Sequence, residues 1–267
     1  MFSTAFTYMA ASGGFDPDAE AFFEAAGITD ATQKNAVNQL VVDLKDENLW
    51  SSFYALYPIV GTTSSQQSYN LIDTSTYQII WNGGWTHSST GALGNGSNTY
   101  ANAGIVPSTV GIGLNSFSVG TYNRISGLSD SVDCGVSVGE NQRINLYSNL
   151  QLAGIGVLWD PGSQFQRQTA GSPSTNGFYI GTRSSSTTHG VYRNGSALAS
   201  TTTSTNSATS LPDSDFFFGA ISSAGTPELP TSNEYALFFF ADGFTASQIS
   251  TFNTIVQTFQ TTLGRNV

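Results

Sequence analysis

The chain has 267 residues and carries 8 Lys and Arg against 18 Asp and Glu, a net charge of -10 that excludes nucleic-acid binding through a basic surface. Only 10% of residues are charged whereas 67 are Ser or Thr, so the polar surface is made of hydroxyls and amides; 39% apolar residues, with 18 Phe and 11 Tyr, exclude a disordered chain. The longest apolar runs, such as Tyr235 to Ala241, fall far short of the roughly 18 residues of a spanning helix, and no membrane insertion is expected.

Residues 1–68 hold eight acids and two Lys and read as helical. No Lys or Arg precedes an apolar run at the start, so no secretory leader is expected. Asp16 supplies an N-cap and Pro17 a first helical position for a short helix through Phe22, Phe23 and Ala26, with Gly27 as its stop. Thr29 and Asp30 open a second helix, in which Ala36, Val37, Leu40, Val41 and Leu44 form one stripe at helical period. Leu49, Trp50, Phe53, Leu56 and Tyr57 repeat that spacing and predict a third helix, ended by Pro58. Helices this short do not stand alone, so the stripes must dock on the sandwich, on the C-terminal helix or on a partner.

From Tyr69 onward the period changes to two. Asn82-Gly83-Gly84, Asn95-Gly96, Asn176-Gly177 and Asn194-Gly195 are turn signals that separate β-branched and aromatic runs. Strands are predicted over Tyr77 to Trp81, Phe117 to Ile125, Val132 to Val138, Ile144 to Tyr147, Leu152 to Trp159, Phe178 to Thr182, Gly190 to Arg193, Phe216 to Ile221 and Tyr235 to Ala241. Val191 to Leu198 is the clearest hairpin, built on a two-residue Asn194-Gly195 turn. Strands without intervening helices mean a mainly β protein, an antiparallel sandwich or barrel over residues 69–267. Thr245 and Gln248 then form a capping box for an amphipathic helix over 245–263, with Ile249, Phe252, Ile255, Val256, Phe259 and Leu263 on one face and Gly264 as the stop. Cys134 is the only cysteine, which rules out an intramolecular disulfide and suits folding in a reducing cytosol.

The segments Phe22 to Gly61, Trp81 to Ser108, Val191 to Ser196, Phe216 to Ala220 and Ala241 to Arg265, in this order, resemble tailed-bacteriophage virion proteins with a concanavalin A-like, LamG-type jelly roll. The resemblance runs from about Asp16 to Arg265. It implies a two-sheet jelly roll with helices at both ends, in a head fibre, tail or capsid decoration protein assembled in the bacterial host cytoplasm. It implies no catalytic site, no cofactor, and partners that are other virion proteins and copies of the chain itself, a trimer first. Low charge with abundant Thr, Ser and Asn suits close packing of like subunits.

Glycoside hydrolysis needs two carboxyls about 5 to 9 Å apart in one cleft, which on a strand means acids at alternating positions. No such triplet occurs. Asp133, Glu140 and Asp160 are the acids near predicted central strands and are distant in sequence, while Asp130/Asp133 and Asp213/Asp215 read as turn and cap pairs. His87 and His189 have no nucleophile elbow beside them and read as exposed or hydrogen-bonded side chains; with one Cys they cannot make a spaced zinc site, and no metal ligand set is assigned. A calcium ion held by loop oxygens stays open, although no EF-hand-type loop occurs. Sugar recognition is the chemistry the residues suit: Trp85, His87, Asn95, Asn98 and Tyr100 are close enough to share a loop that offers an aromatic face and amides to a host-surface glycan. Core packing of Trp81, Trp85 and Trp159 is the competing expectation. Arg124, Arg143, Arg183 and Arg193 are dispersed among apolar strand residues and are expected to face solvent or a partner subunit. The function expected is that of a non-enzymatic virion structural protein that contacts glycans, with a lectin-like module and, behind it, a concanavalin-fold glycoside hydrolase as alternatives.

Overall fold

A computed structural model of the chain describes residues 14–125, 127, 130–150, 156–163, 167–170, 176–203 and 205–267. Two helices lead, α1 (Pro17–Ala26) and α2 (Ala31–Asp46), and the strands follow as β1 (Phe53–Tyr57), β2 (Ile80–Asn82), β3 (Thr86–Ser88), β4 (Gly91–Leu93), β5 (Tyr100–Asn102) and β6 (Phe117–Ile125). Next come β7 (Cys134–Gly139), β8 (Gln142–Leu150), β9 (Gly156–Pro161), β10 (Gln168–Ala170), β11 (Gly177–Arg183), β12 (His189–Arg193) and β13 (Ser196–Thr201). The chain ends with β14 (Phe217–Phe218), β15 (Ile221–Ser223), β16 (Thr226–Glu228), β17 (Glu234–Ala241) and α3 (Ala246–Thr262). The predicted strand residues 152–155 lie outside the described residues.

The strands make an antiparallel β-sandwich of jelly-roll type. Among the described residues one sheet has the order β13-β12-β11-β6-β17-β4-β3, with β1 also on β17; the other has the order β10-β9-β8-β7-β14-β5-β2, with the β15–β16 hairpin on β7. The three helices cover the outer face of the first sheet, giving a helix, sheet, sheet stack with two cores. Val37, Leu40, Val41 and Leu44 are buried there against Phe22, Leu237, Ile255 and their neighbours, so the helical stripe docks on the sandwich and on α3. Between the sheets, Gly181 leaves room for the Trp159 ring, whose Cε3 lies 2.3 Å from where a Cβ would stand. Asn194 and Gly195 sit at φ 48° and 77°, the backbone that a two-residue type I′ hairpin requires.

The spacing that predicted a helix over Leu49 to Tyr57 gives instead a single 3₁₀ turn, Trp50–Ser52, followed by the strand β1. Phe53 and Leu56 face the helices while Ala55 and Tyr57 face the other sheet, because β1 takes the edge of β17 from Phe238 to Ala241 and is buried on both sides. Residues 1–68 therefore supply one strand of the sandwich as well as its helical cover.

Strand β17 is buried at all eight positions. Phe238 and Phe240 enter the core between the sheets, and Ala236, Leu237, Phe239 and Ala241 enter the helix-facing core. Two successive residues, Ala236 and Leu237, share one face because the register with β6 shifts between Tyr235 and Leu237, a bulge that takes the Ala236 carbonyl out of the ladder. Gln260 Nε2 at 3.3 Å and Arg265 Nη2 at 3.2 Å donate to that oxygen. Arg265 is only 1% exposed and also donates to Pro58 O at 3.1 Å, Ile59 O at 2.8 Å and Gln260 Oε1 at 2.9 Å. Ile59 holds φ 44°, a left-handed conformation that costs a β-branched residue, and the guanidinium fixes it.

Arg183, expected at the surface, is buried between the sheets instead. Its Nε donates to Pro161 O at 3.2 Å and its Nη1 to Ser185 O and Ser186 O at 3.3 Å each. Both buried guanidiniums work as multiple donors to backbone carbonyls that no strand partner reaches.

Replacing Arg265 by Met leaves the carbonyls of Pro58 and Ile59 buried and unpaired, and Ala236 O with Gln260 as its remaining donor. The expected loss is about 3–5 kcal/mol by denaturant titration, and Arg265→Lys recovers little of it because an ammonium cannot span the same acceptors.

Candidate functional site

The five residues proposed from sequence surround one end of the sandwich, where β2 of one sheet and β3 of the other face each other. Trp85 inserts between the sheets: its ring lies over Gly219 and against Tyr235 at 6.4 Å, and its Nε1 donates to Tyr100 O at 3.4 Å. Tyr100 packs on Phe217 at 4.7 Å. Asn95 and Asn98 fold the connecting loop upon itself. Asn95 Oδ1 accepts from the Ser97 and Asn98 amides, Asn95 Nδ2 donates to Asn98 Oδ1 at 2.7 Å, and the same Asn98 oxygen accepts from Gly84 N. The exposed amides expected to face a sugar also hold the loop, and the half-buried Trp85 packs on the core between the sheets. His87 Nδ1 pairs with Gln67 Oε1 at 2.7 Å, and burial lowers its pKa, favouring the neutral ring.

Trp81 stands beside Trp85 at this end and lines its surface depression. It is half-buried, its Nε1 donates to Ser64 O at 3.0 Å, and it meets Trp85 at 5.1 Å and His87 at 4.7 Å edge to face. Ser64, Ser65, Ser68, Ile79 and Trp81 line a surface depression of about 240 Å³. The exposed Ile80 continues the edge strand beside it. Sequence proximity located the cluster; the strand alternation of Tyr77 to Trp81 carried no sign of the serine loop that folds over from residues 64–68 and forms a depression with Trp81.

The acids near the central strands stand apart. Asp133 lies between the sheets, where its Oδ1 accepts from Asn123, Asn233 and Tyr235 at 2.8, 3.0 and 3.0 Å and its Oδ2 from Ser148 N. Burial raises its pKa against those donors. Glu140 is exposed on the β7–β8 turn. Asp160 alternates with the inward-facing Trp159 and so belongs to the opposite face of its sheet, where Arg143 and Arg167 approach its Oδ2 at 3.4 and 3.2 Å. Glu234 binds Arg124 at 2.8 Å and Thr90 at 2.6 Å. Asp213 and Asp215 accept from Ser108 and Asn102, tying loops as expected. Among the described residues no group of three His, Cys, Asp or Glu could hold a metal ion.

His189 departs from expectation. It is 1% exposed, neither ring nitrogen has a hydrogen-bond partner among the described residues, and it stands opposite Arg183 in the β11–β12 ladder. Burial, reinforced by the Arg183 charge, lowers its pKa to about 4.

Compared with known proteins, the chain matches no family model and no curated protein. Solved structures do share its fold. Domain 4 of AbnA, an extracellular arabinanase from Geobacillus stearothermophilus solved with arabinotriose, is 15% identical with a TM-score of 0.52, over 76% of this chain and 98% of that one. A Trypanosoma rangeli sialidase mutant displaying trans-sialidase activity is 13% identical with a TM-score of 0.54, over 84% of this chain and 39% of the sialidase. At these identities the likeness is one of fold, an antiparallel β-sandwich.

The neutral His189 sets a pH dependence. An unfolded histidine takes up a proton near pH 6.5 that the folded one refuses until about pH 4, so stability falls as the pH drops through that window. The expected slope is about 1.4 kcal/mol per pH unit from this group. Denaturant titrations of His189→Met across pH 4–7 should show a flatter profile than the parent chain.

Proposed function

We propose that the protein is a non-enzymatic carbohydrate-binding β-sandwich, serving as a surface-exposed head fibre, decoration or tail component of a bacteriophage particle and assembled as a homo-oligomer. The observation that carries the binding reading is the Trp81 depression. An indole held by its N–H and by two edge contacts presents a pre-set apolar face next to serine hydroxyls, the pairing that recognises a pyranose or furanose ring. The arabinanase domain that shares the fold over nearly its whole length was solved with an oligosaccharide, which supports the same class of ligand. The virion setting rests on the sequence resemblance from Asp16 to Arg265.

The distribution of acids supports a role without hydrolysis. Cleavage of a glycosidic bond takes an acid and a base or nucleophile facing one substrate. Asp133 is enclosed by four donors between the sheets, Asp160 lies under two Arg on the opposite face, and Glu140 stands exposed on a turn, so these three carboxylates do not share a cleft.

Binding to an array of neutral bacterial-surface glycans should be measurable and should fall at least 10-fold in Trp81→Ala, with no reducing ends released from any bound glycan. Release of reducing ends that stops on replacing Asp133 or Asp160 by the amide would overturn the reading. Mass spectrometry of purified particles, together with light scattering of the isolated protein, checks the virion and oligomer parts.

A further inference from the structure

Strand alternation gathers a second set of polar groups on the face of the nine-stranded sheet turned away from the helices. Ile144, Leu146, Val157 and Trp159 point into the core, so Arg143, Asn145, Tyr147 and Asp160 point the other way. Asn145 and Asp160 are direct partners across β8 and β9. Two of the six Arg in the chain converge here, each touching Asp160 Oδ2 through one nitrogen, Arg143 at 3.4 Å and Arg167 at 3.2 Å. Arg143 also donates from Nε to Gly139 O at 3.2 Å. The Arg167 side chain is 40% exposed, and single-nitrogen pairing leaves most of its fork directed at solvent.

Beneath these guanidiniums two acceptors are unused. Among the described residues, Asp160, 1% exposed, has no partner for Oδ1, and neither does Asn145, 3% exposed, for its own Oδ1. A buried acceptor left unpaired is costly, so the pair is suited to groups that donate. Donors below the surface and cations at the rim together define a ligand. A metal ion would meet two Arg charges. A simple anion would satisfy the guanidiniums and repel Asp160, and Glu228 on β16, close enough to act on the Tyr147 phenol, adds to that repulsion. A neutral sugar would satisfy the oxygens and leave the guanidiniums idle.

We propose that this face binds an acidic saccharide, whose carboxylate or sulfate pairs with Arg143 and Arg167 while its hydroxyls donate to Asp160 Oδ1 and Asn145 Oδ1. The site rests on the carbohydrate-binding reading above and adds to it a second location and a ligand class. The partly exposed Tyr147 lies on the same sheet face, and its phenol stays protonated, with burial and then Asp160 raising its pKa to about 12. Displacement of Arg167, which touches Asp160 through one nitrogen, opens the way to Asp160.

The test is calorimetric titration of the full chain with trigalacturonate, with maltotriose as a neutral sugar of the same length, and with inorganic sulfate. Trigalacturonate should bind at least 10-fold more tightly than either of the others and weaken as salt is raised. Arg167→Ala, a change at the surface, should lower that affinity at least 10-fold, whereas removal of a remote charge by Lys34→Ala should not. Equal affinity for the acidic and neutral trisaccharides, equal affinity for sulfate, or no loss in Arg167→Ala would each overturn the proposal. Binding of neutral glycans that depends on Trp81 without any acidic preference would overturn this site and leave the broader reading standing. Acidic binding that depends on Arg167 without neutral binding would sustain this site and remove the one at Trp81.

Discussion

A strand buried on both faces has no solvent side on which to place an error, and β17 is such a strand. Seven of its eight residues, Tyr235 to Ala241, serve two cores at once, and the bulge at Ala236 assigns each side chain to its core. The rest of the architecture follows from that constraint. The helices exist as a layer because Leu237 and Phe239 need cover, which Phe252 and Phe53 supply at 5.2 and 5.9 Å from the Phe239 ring. The sheets pack because Phe238 stacks on Phe218 at 4.6 Å. The carbonyl released by the bulge requires Gln260 and Arg265, which draw the end of α3 onto β17 and onto the turn after β1.

Polar groups mark the two ends of the interior. Asn123, at one end of β6, joins Asp133, Ser148, Asn233 and Tyr235 in a network around one carboxylate. Beyond the other end of β6, next to Phe117, Arg183 and His189 occupy the corresponding place. Each end specifies how the sheets are aligned, since a shifted register would leave a charge buried without its donors or acceptors. The sandwich thereby fixes the positions of its outer edges, where Trp81 sits, and of its outer face, where Asp160 sits.

Much of this was legible locally. Phe117 to Ile125 reads as a strand and is one, Asn194-Gly195 makes the turn its backbone preferences require, and the box of Thr245 and Gln248 caps α3 as their spacing indicates. What the chain did not disclose was decided by distant partners. Phe53 to Tyr57 fits a helical spacing, but the unfilled edge of β17, some 180 residues away, takes it as a strand. Arg183 looks like a surface charge until the carbonyl of Pro161 is seen beside it, and nothing near Arg265 in the sequence announces the carbonyls of Pro58 and Ile59 that it serves. At the candidate site, nearness in sequence gathered Trp85, His87, Asn95, Asn98 and Tyr100 correctly but could not say which atoms point inward. Asn145 and Asp160 were beyond reach for another reason: their juxtaposition is a matter of strand register, which no local spacing encodes.

The central place of β17 also orders the events of folding. Sheet strands β1, β3, β4, β6, β11, β12 and β13 all precede it in the chain, yet β6 and its neighbours meet β1 and β4 only through it. Before β17 is made, that sheet is therefore three separate pieces, β13-β12-β11-β6, β4-β3 and the lone β1, and the last strand zips between them. Closure of those long loops makes the step slow, and the waiting edges are the points at which a second nascent copy could intrude. Assembly of the molecule is thus governed by the insertion of one late, apolar strand rather than by growth from either end.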